Sequence, residues 1–200
     1  MDKISSFLFN IDISSNAPFQ GALLVAEPLL NDDYFNHAVI CLTEYDDNKT
    51  TMGFILNNKT RHNLQSLIAE ISCNTPIPVY CGGPMSEDKL FYIHSLGDII
   101  PDSHEIIPGL YVGGDFNAVI KYLNSGYPTE GFIKFFIGYS GWDIGQLKSE
   151  LRKNVWAVTT PTDISDLIKA HNDSYWHTIV RSMGKPYRGW LYHPKNANNN

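Results

Sequence analysis

The stretch Phe132-Ile133-Lys134-Phe135-Phe136-Ile137-Gly138-Tyr139 decides the fold class. It is short, aromatic and β-branched, which reads as a strand with most of its surface buried. Ser140-Gly141 follows as a turn. A helix is expected over 146–153, with Leu147 and Leu151 turned inward. A further strand follows over 155–158, and helices over 165–170 and 175–183, with Gly184 just past the last one.

Upstream, Gly21 to Glu27 (GALLVAE) reads as a buried strand closed by Pro28. Strands over 38–45 and 51–56 flank Asp46-Asp47-Asn48 and form a hairpin. Leu64, Leu67, Ile68 and Ile71 fall at helical spacing, with Asn63 placed to cap them. Short strands are expected over 79–81, running into Gly82-Gly83-Pro84, and over 90–94. Two more, 104–107 and 110–112, join at Pro108-Gly109. Gly113-Gly114-Asp115 then opens a helix that buries Phe116, Val119, Ile120 and Leu123. Strands and helices mix without strict alternation, so the expected class is α+β rather than a doubly wound sheet.

Two hundred residues, 43% hydrophobic and 18% charged, suit one globular domain spanning 1–200, with 195–200 as a frayed tail. The formal charge of −6 makes a nucleic-acid role depend on a local basic patch. Cys41, Cys73 and Cys81 are odd in number and lack CxxC spacing, so they read as buried thiols in a reducing compartment. Asn10 and Asp12 interrupt the apolar Phe7-Leu8-Phe9 before a signal peptide can form. No run approaches the roughly 18 apolar residues of a membrane span. A cytoplasmic protein with no membrane association is expected.

Several landmarks, in order, carry a resemblance. They are GALLVAEPLL from Gly21, Phe35, Gly53-Phe54-Ile55-Leu56-Asn57, Gly82-Gly83-Pro84 and Leu90-Phe91-Tyr92-Ile93-His94. Gly138-Tyr139-Ser140-Gly141-Trp142 comes next, then Gln146-Leu147, Glu150-Leu151 and Asn154-Val155-Trp156. The chain, over about residues 15–190, resembles the YqgE/AlgH family of uncharacterised bacterial proteins, sometimes labelled transcriptional regulators. The resemblance implies an α+β fold with a compact, partly barrel-like mixed sheet flanked by helices, and no established reaction. His37 stands where the family pattern has Arg, and Met85 where Val is usual.

The candidate chemistry is sparse. Gly138-Tyr139-Ser140-Gly141-Trp142 approaches a nucleophile elbow, but Trp142 replaces the final glycine of G-x-S-x-G. Trp142 at a helix start would give an aromatic face beside free N–H groups, or else a core anchor. Gly82 and Gly83 would aim backbone N–H groups at an anion, or else make a sharp turn. Asn57 could bond a ligand or a loop. Cys81 and His94, at the ends of neighbouring strands, would form a thiolate–imidazolium pair only if they faced each other. His94, Asp98, Asp102 and His104 have no metal-site spacing. No catalytic residue, metal or cofactor is therefore assigned. The basic and aromatic end, with Lys185, Arg188 and Trp190, is the best footprint for nucleic acid.

The resulting expectation is a non-catalytic binding or regulatory protein for a small ligand or protein partner. Its shared site would comprise Asn57, Gly82, Gly83, His94, Tyr139 and Trp142. The alternatives are a DNA-associated regulator and a hydrolase-type enzyme using His94 or Cys81.

Overall fold

The computed structural model describes residues 17–193. The readings of residues 7–12 and 195–200 fall outside them. Ten strands form one curled sheet in the order β10-β1-β2-β3-β9-β6-β8-β7, with β5 also on β9 and β4 on β5. They are β1 (Leu23–Ala26), β2 (Val39–Glu44), β3 (Thr51–Ile55), β4 (Lys59–Asn63) and β5 (Pro78–Cys81). After these come β6 (Met85–His94), β7 (His104–Ile107), β8 (Leu110–Val112), β9 (Ile133–Trp142) and β10 (Trp156–Thr159). Among the described residues four α-helices border the sheet: α1 (Phe116–Asn124), α2 (Gln146–Arg152), α3 (Ile164–Lys169) and α4 (Asp173–Ser182). All strand pairs are antiparallel except β5 with β9. The α+β class and the barrel-like sheet are as expected. Among the described residues no helix is long and apolar enough to cross a membrane.

β1 explains why a continuous apolar run is needed at Leu23–Ala26. Leu23 and Val25 face one core layer with α3 and α4, and Leu24 and Ala26 face another with α2. A strand covered on both faces has no polar side. A third layer packs α1 on Val79, Tyr92 and Phe135. The Asp115 cap is as read, its carboxylate accepting from Asn117 N–H at 2.9 Å. Asp46 likewise accepts from Asn48 N–H at 2.9 Å and closes the β2–β3 hairpin.

Two readings need correction, and one strand was not anticipated. The helix expected over 64–71 is a single 3₁₀ turn, Leu64–Ser66, and Asn63 is extended without a side-chain cap. The Gln65 side chain is the physical reason. It donates to the Thr75 carbonyl at 2.7 Å and accepts from Ile77 N–H at 3.1 Å, so the segment is tied to the approach to β5. The polar stretch Lys59–Asn63 is a strand, β4, with four of its five residues exposed. The second correction matters most. Ser140-Gly141 is not a turn: β9 runs through to Trp142, because β3 pairs with residues 140–142.

Candidate functional site

β9 is shared along its length. Residues 135–137 pair with β5, and residues 140–142 pair with β3. β6 runs along the opposite edge, from Met85 beside Tyr139 to His94 beside Ile133. The chain must therefore pass from β5 on one edge of β9 to β6 on the other. Gly82-Gly83-Pro84 makes that crossing over Gly138-Tyr139-Ser140. Backbone touches backbone there: a Cβ on Gly138 would lie 2.5 Å from the Gly83 carbonyl oxygen, and one on Gly83 would lie 2.5 Å from Ser140 N. Gly138 also has φ of 69°, which favours glycine. The polar groups are spent on the crossing itself. Gly82 N–H donates to Ile137 at 2.9 Å, while the Gly82 carbonyl accepts from Ile55 N–H and the Ser140 hydroxyl, each at 3.0 Å.

This geometry disposes of the elbow resemblance at Ser140, whose buried hydroxyl lies within a strand. Trp142 is the last residue of β9, not the first of a helix, and is 4% exposed. Its indole N–H donates to Glu150 Oε2 at 2.8 Å, and the Trp156 indole N–H donates to the same oxygen at 2.8 Å. Trp142 is thus the core anchor of the two readings, held by a carboxylate of α2.

The structure brings Gly82, Gly83 and Tyr139 together at the crossing, commits the Asn57 and Trp142 side chains to other bonds, and places His94 apart. His94 lies at the far end of β6, six residues of β9 away from Met85 in the pairing register, which is about 20 Å at roughly 3.3 Å per residue. It is buried and fixed. Nδ1 accepts from Leu96 N–H at 3.1 Å, so the ring proton sits on Nε2, which lies 2.9 Å from the Gly113 carbonyl. Ser103 Oγ, 3.1 Å from Nε2, cannot pass a proton to a nitrogen that already carries one. Burial pushes the His94 pKa down, partly offset by the Gly113 bond. Cys81 and His94 are on strands at opposite edges of β9, beside Ile137 and Ile133 respectively, so they do not form a pair. Burial raises the Cys81 thiol pKa and drives that of Cys41 to about 12, which keeps both protonated at neutral pH. Trp190 is 2% exposed and stacks near Trp176, so it has no face to offer a base; Lys185 and Arg188 are exposed beside it.

Two other places gather chemistry. The first is a cleft of about 330 Å³ below the crossing. β4, β5, the 129–131 loop, β9 and the end of α3 line it, through Lys59, Tyr80, Glu130, Lys134, Lys169 and His171 among others. Lys134 is 3% exposed. Its ammonium donates to the Ile168 carbonyl at 3.2 Å and to the Ala170 carbonyl, and sits 3.4 Å over the Tyr80 ring. Two carbonyls at a helix C-terminus and an aromatic face are the partners a buried cation requires. Even so, burial, helped by Lys59, sets its pKa well below the ordinary lysine range. Apolar walls from Ile77, Pro78, Ile133 and Ile168 complete the cleft.

The second place is built on Asn57. Its side-chain oxygen accepts from Val39 N–H at 2.9 Å, and its amide donates to the carbonyls of His37 at 2.9 Å and Asn172 at 3.4 Å. That clamp joins the loop before β2 to the start of α4. His37, at φ of 54°, stacks on Trp176 with centroids 3.9 Å apart. Its Nδ1 is 2.8 Å from Asp173 Oδ1, and His177 Nε2 is 3.2 Å from Asp173 Oδ2. The two imidazoles and the carboxylate are the donor set in the described residues suited to a metal ion.

A family model described as AlgH-like matches residues 23–188. The chain belongs to the AlgH-like family. A UPF0301 protein of Parabacteroides distasonis is 43% identical over 189 residues, covering 94% of each chain. One of Bacteroides thetaiotaomicron is 34% identical, covering 96% of this chain and 97% of its own. Two solved structures share the fold. Protein DIP2367 of Corynebacterium diphtheriae has a TM-score of 0.68 at 21% identity, covering 90% of this chain and 93% of its own. The AlgH protein of Pseudomonas aeruginosa has a TM-score of 0.67 at 23% identity, covering 86% and 92%. The AlgH-like landmarks at Gly82-Gly83-Pro84, Gly138–Trp142 and Glu150 thus fall on the crossing and on the indole–carboxylate anchor.

Proposed function

We propose that this AlgH-like protein is a cytoplasmic, non-catalytic binding protein with a regulatory role, and that its ligand is a small anion with an apolar body. The observation that carries this reading is the charge of the cleft. Lys59 and Lys169 line it, with the buried Lys134 behind them, against one acid, Glu130. Its volume is in the range of small-molecule sites. Tyr80 and the proline and isoleucine walls suit the apolar part of such a ligand. An anion seated there offsets the desolvation that holds the Lys134 pKa down, so ligand binding and protonation of Lys134 favour each other.

Two features weigh against the alternatives. The ring expected to stack on a base at the C-terminal end, Trp190, is buried and has no free face. A hydrolase lacks its nucleophile–base pair, since Cys81 and His94 lie across β9 from each other.

A thermal-shift panel of nucleoside monophosphates, aromatic carboxylates and inorganic phosphate tests the proposal. A ligand at 100 times its Kd adds about 2.7 kcal/mol to stability. The expected result is a shift with at least one anion, abolished in the double variant Lys59→Ala, Lys169→Ala. Shifts that persist in that variant, or none with any anion, would overturn the reading.

A further inference from the structure

We propose that His37, Asp173 and His177 form a binding site for one divalent first-row transition-metal ion, of which Zn²⁺ is the best chemical match. The sequence spacing pointed to no metal site, because the ligands come from two segments 136 residues apart. The fold assembles them. Asp173 and His177 are one helical turn apart on α4 and share a face. His37 reaches that face from the loop before β2.

Imidazole nitrogen and carboxylate oxygen are the ligands that zinc takes alongside thiolate, and three protein ligands with an open fourth position is a recurrent zinc arrangement. The three donor atoms already lie within 4.8 Å of one another. At zinc bonds of about 2.0–2.2 Å the His–Asp contacts of 2.8 and 3.2 Å are already close enough, so the adjustment falls on the separation of the two imidazole nitrogens. His177 can supply most of that movement, since its side chain is 26% exposed while that of His37 is fully buried.

The surrounding structure holds the ligands as an outer shell would. The Trp176 indole N–H donates to the Ala26 carbonyl at 3.0 Å, which locks the ring on which His37 stacks. Asn172 caps α4 by accepting from Ser174 N–H at 2.9 Å, which fixes the position of Asp173. Asn57 ties the His37 and Asn172 carbonyls together, so both halves of the site are anchored by one side chain. In the metal-free arrangement, each imidazole nitrogen nearest Asp173 carries a proton to the carboxylate. Metal binding replaces those two N–H···O bonds with metal–nitrogen bonds: each neutral ring moves its single proton to the other nitrogen by exchange with solvent, and a doubly protonated ring releases one proton to water. Asp173 is 36% exposed, so the fourth position opens toward solvent and takes water or a small anion.

The test is a titration of the chelator-treated full-length protein with Zn²⁺, followed by calorimetry, and with Co²⁺, followed by its visible absorption. The expected result is one equivalent bound, with a cobalt spectrum of low coordination number. Loss of a ligand should cost more than the roughly 10–100-fold typical of an outer-shell partner. His177→Ala and Asp173→Asn should therefore each weaken binding by at least about 100-fold. Both positions are partly exposed, and unchanged far-UV circular dichroism would show that each variant folds. His104→Ala, at an exposed histidine outside the cluster, should bind like the parent. Absence of stoichiometric binding, or binding that survives both His177→Ala and Asp173→Asn, would overturn the proposal.

Discussion

The two halves of β9 are built from one strand but do different work. Residues 138–142 carry the family landmarks, and their polar and glycine groups are consumed by packing. Gly138 makes room for the crossing chain, the Ser140 hydroxyl holds the Gly82 carbonyl, and Trp142 is clamped by Glu150. Residues 133–137 carry fewer signals, yet Lys134 among them lines an open cleft together with Lys59 and Lys169. A sequence landmark thus marks where backbone meets backbone as readily as where a ligand sits.

The contrast can be broken most forcefully at the crossing. Gly82→Ala would push a methyl group into the Gly138 carbonyl oxygen and to 2.9 Å from the Phe54 ring. Neither neighbour can retreat, because one is backbone and the other is buried core. We expect a loss of more than about 3 kcal/mol, or no soluble protein, measured by urea denaturation. Wild-type stability in this variant would show the crossing to be looser than described.

Next in size is Glu150→Ala. It leaves two indole N–H groups, on side chains 4% and 2% exposed, without their acceptor. At about 1–3 kcal/mol for each unsatisfied group, the expected cost is about 2–6 kcal/mol, with the tryptophan fluorescence altered. Glu150→Gln keeps an acceptor and should recover much of that loss.

How much of this was legible in the sequence follows from the range of the forces involved. β1, the β2–β3 hairpin and the Asp115 cap rest on local patterning and were readable. β4 was not, because an edge strand with four exposed residues has no apolar alternation to reveal it. The false helix at 64–71 had the right apolar spacing, but Gln65 bonds across the chain to residues 75 and 77 instead. Of the candidate ligands, Asn57 was recognised as a polar group ending a strand, and its partners could not be known without the fold. The cleft draws its lining from five segments. The one local signal for the His37 cluster was the four-residue spacing of Asp173 and His177, which helices show commonly without a metal.

Smaller effects sharpen the cleft side of the comparison. The folded pKa of Lys134 is lowered and its unfolded value is near 10.4, so between the two the unfolded chain binds more protons. Stability gained from this group should therefore rise with pH through that window, and the penalty is complete below the folded pKa. Lys134→Met should flatten that rise in denaturation midpoints measured across alkaline pH. A slope unchanged from wild type would mean that Lys134 titrates as an ordinary lysine. Lys59→Ala, at an exposed position of β4, should change stability by less than about 0.5 kcal/mol. It should weaken binding of a cleft anion about tenfold, readable by calorimetry, which is about 1.4 kcal/mol.

The most direct test of the division along β9 is an amide NMR titration with an anion that stabilises the protein. The account predicts shifts at residues 76–80, 129–134 and 168–171, with little change at Gly82, Gly83, Gly138 and Trp142. Shifts centred on the crossing, with the cleft unmoved, would contradict it.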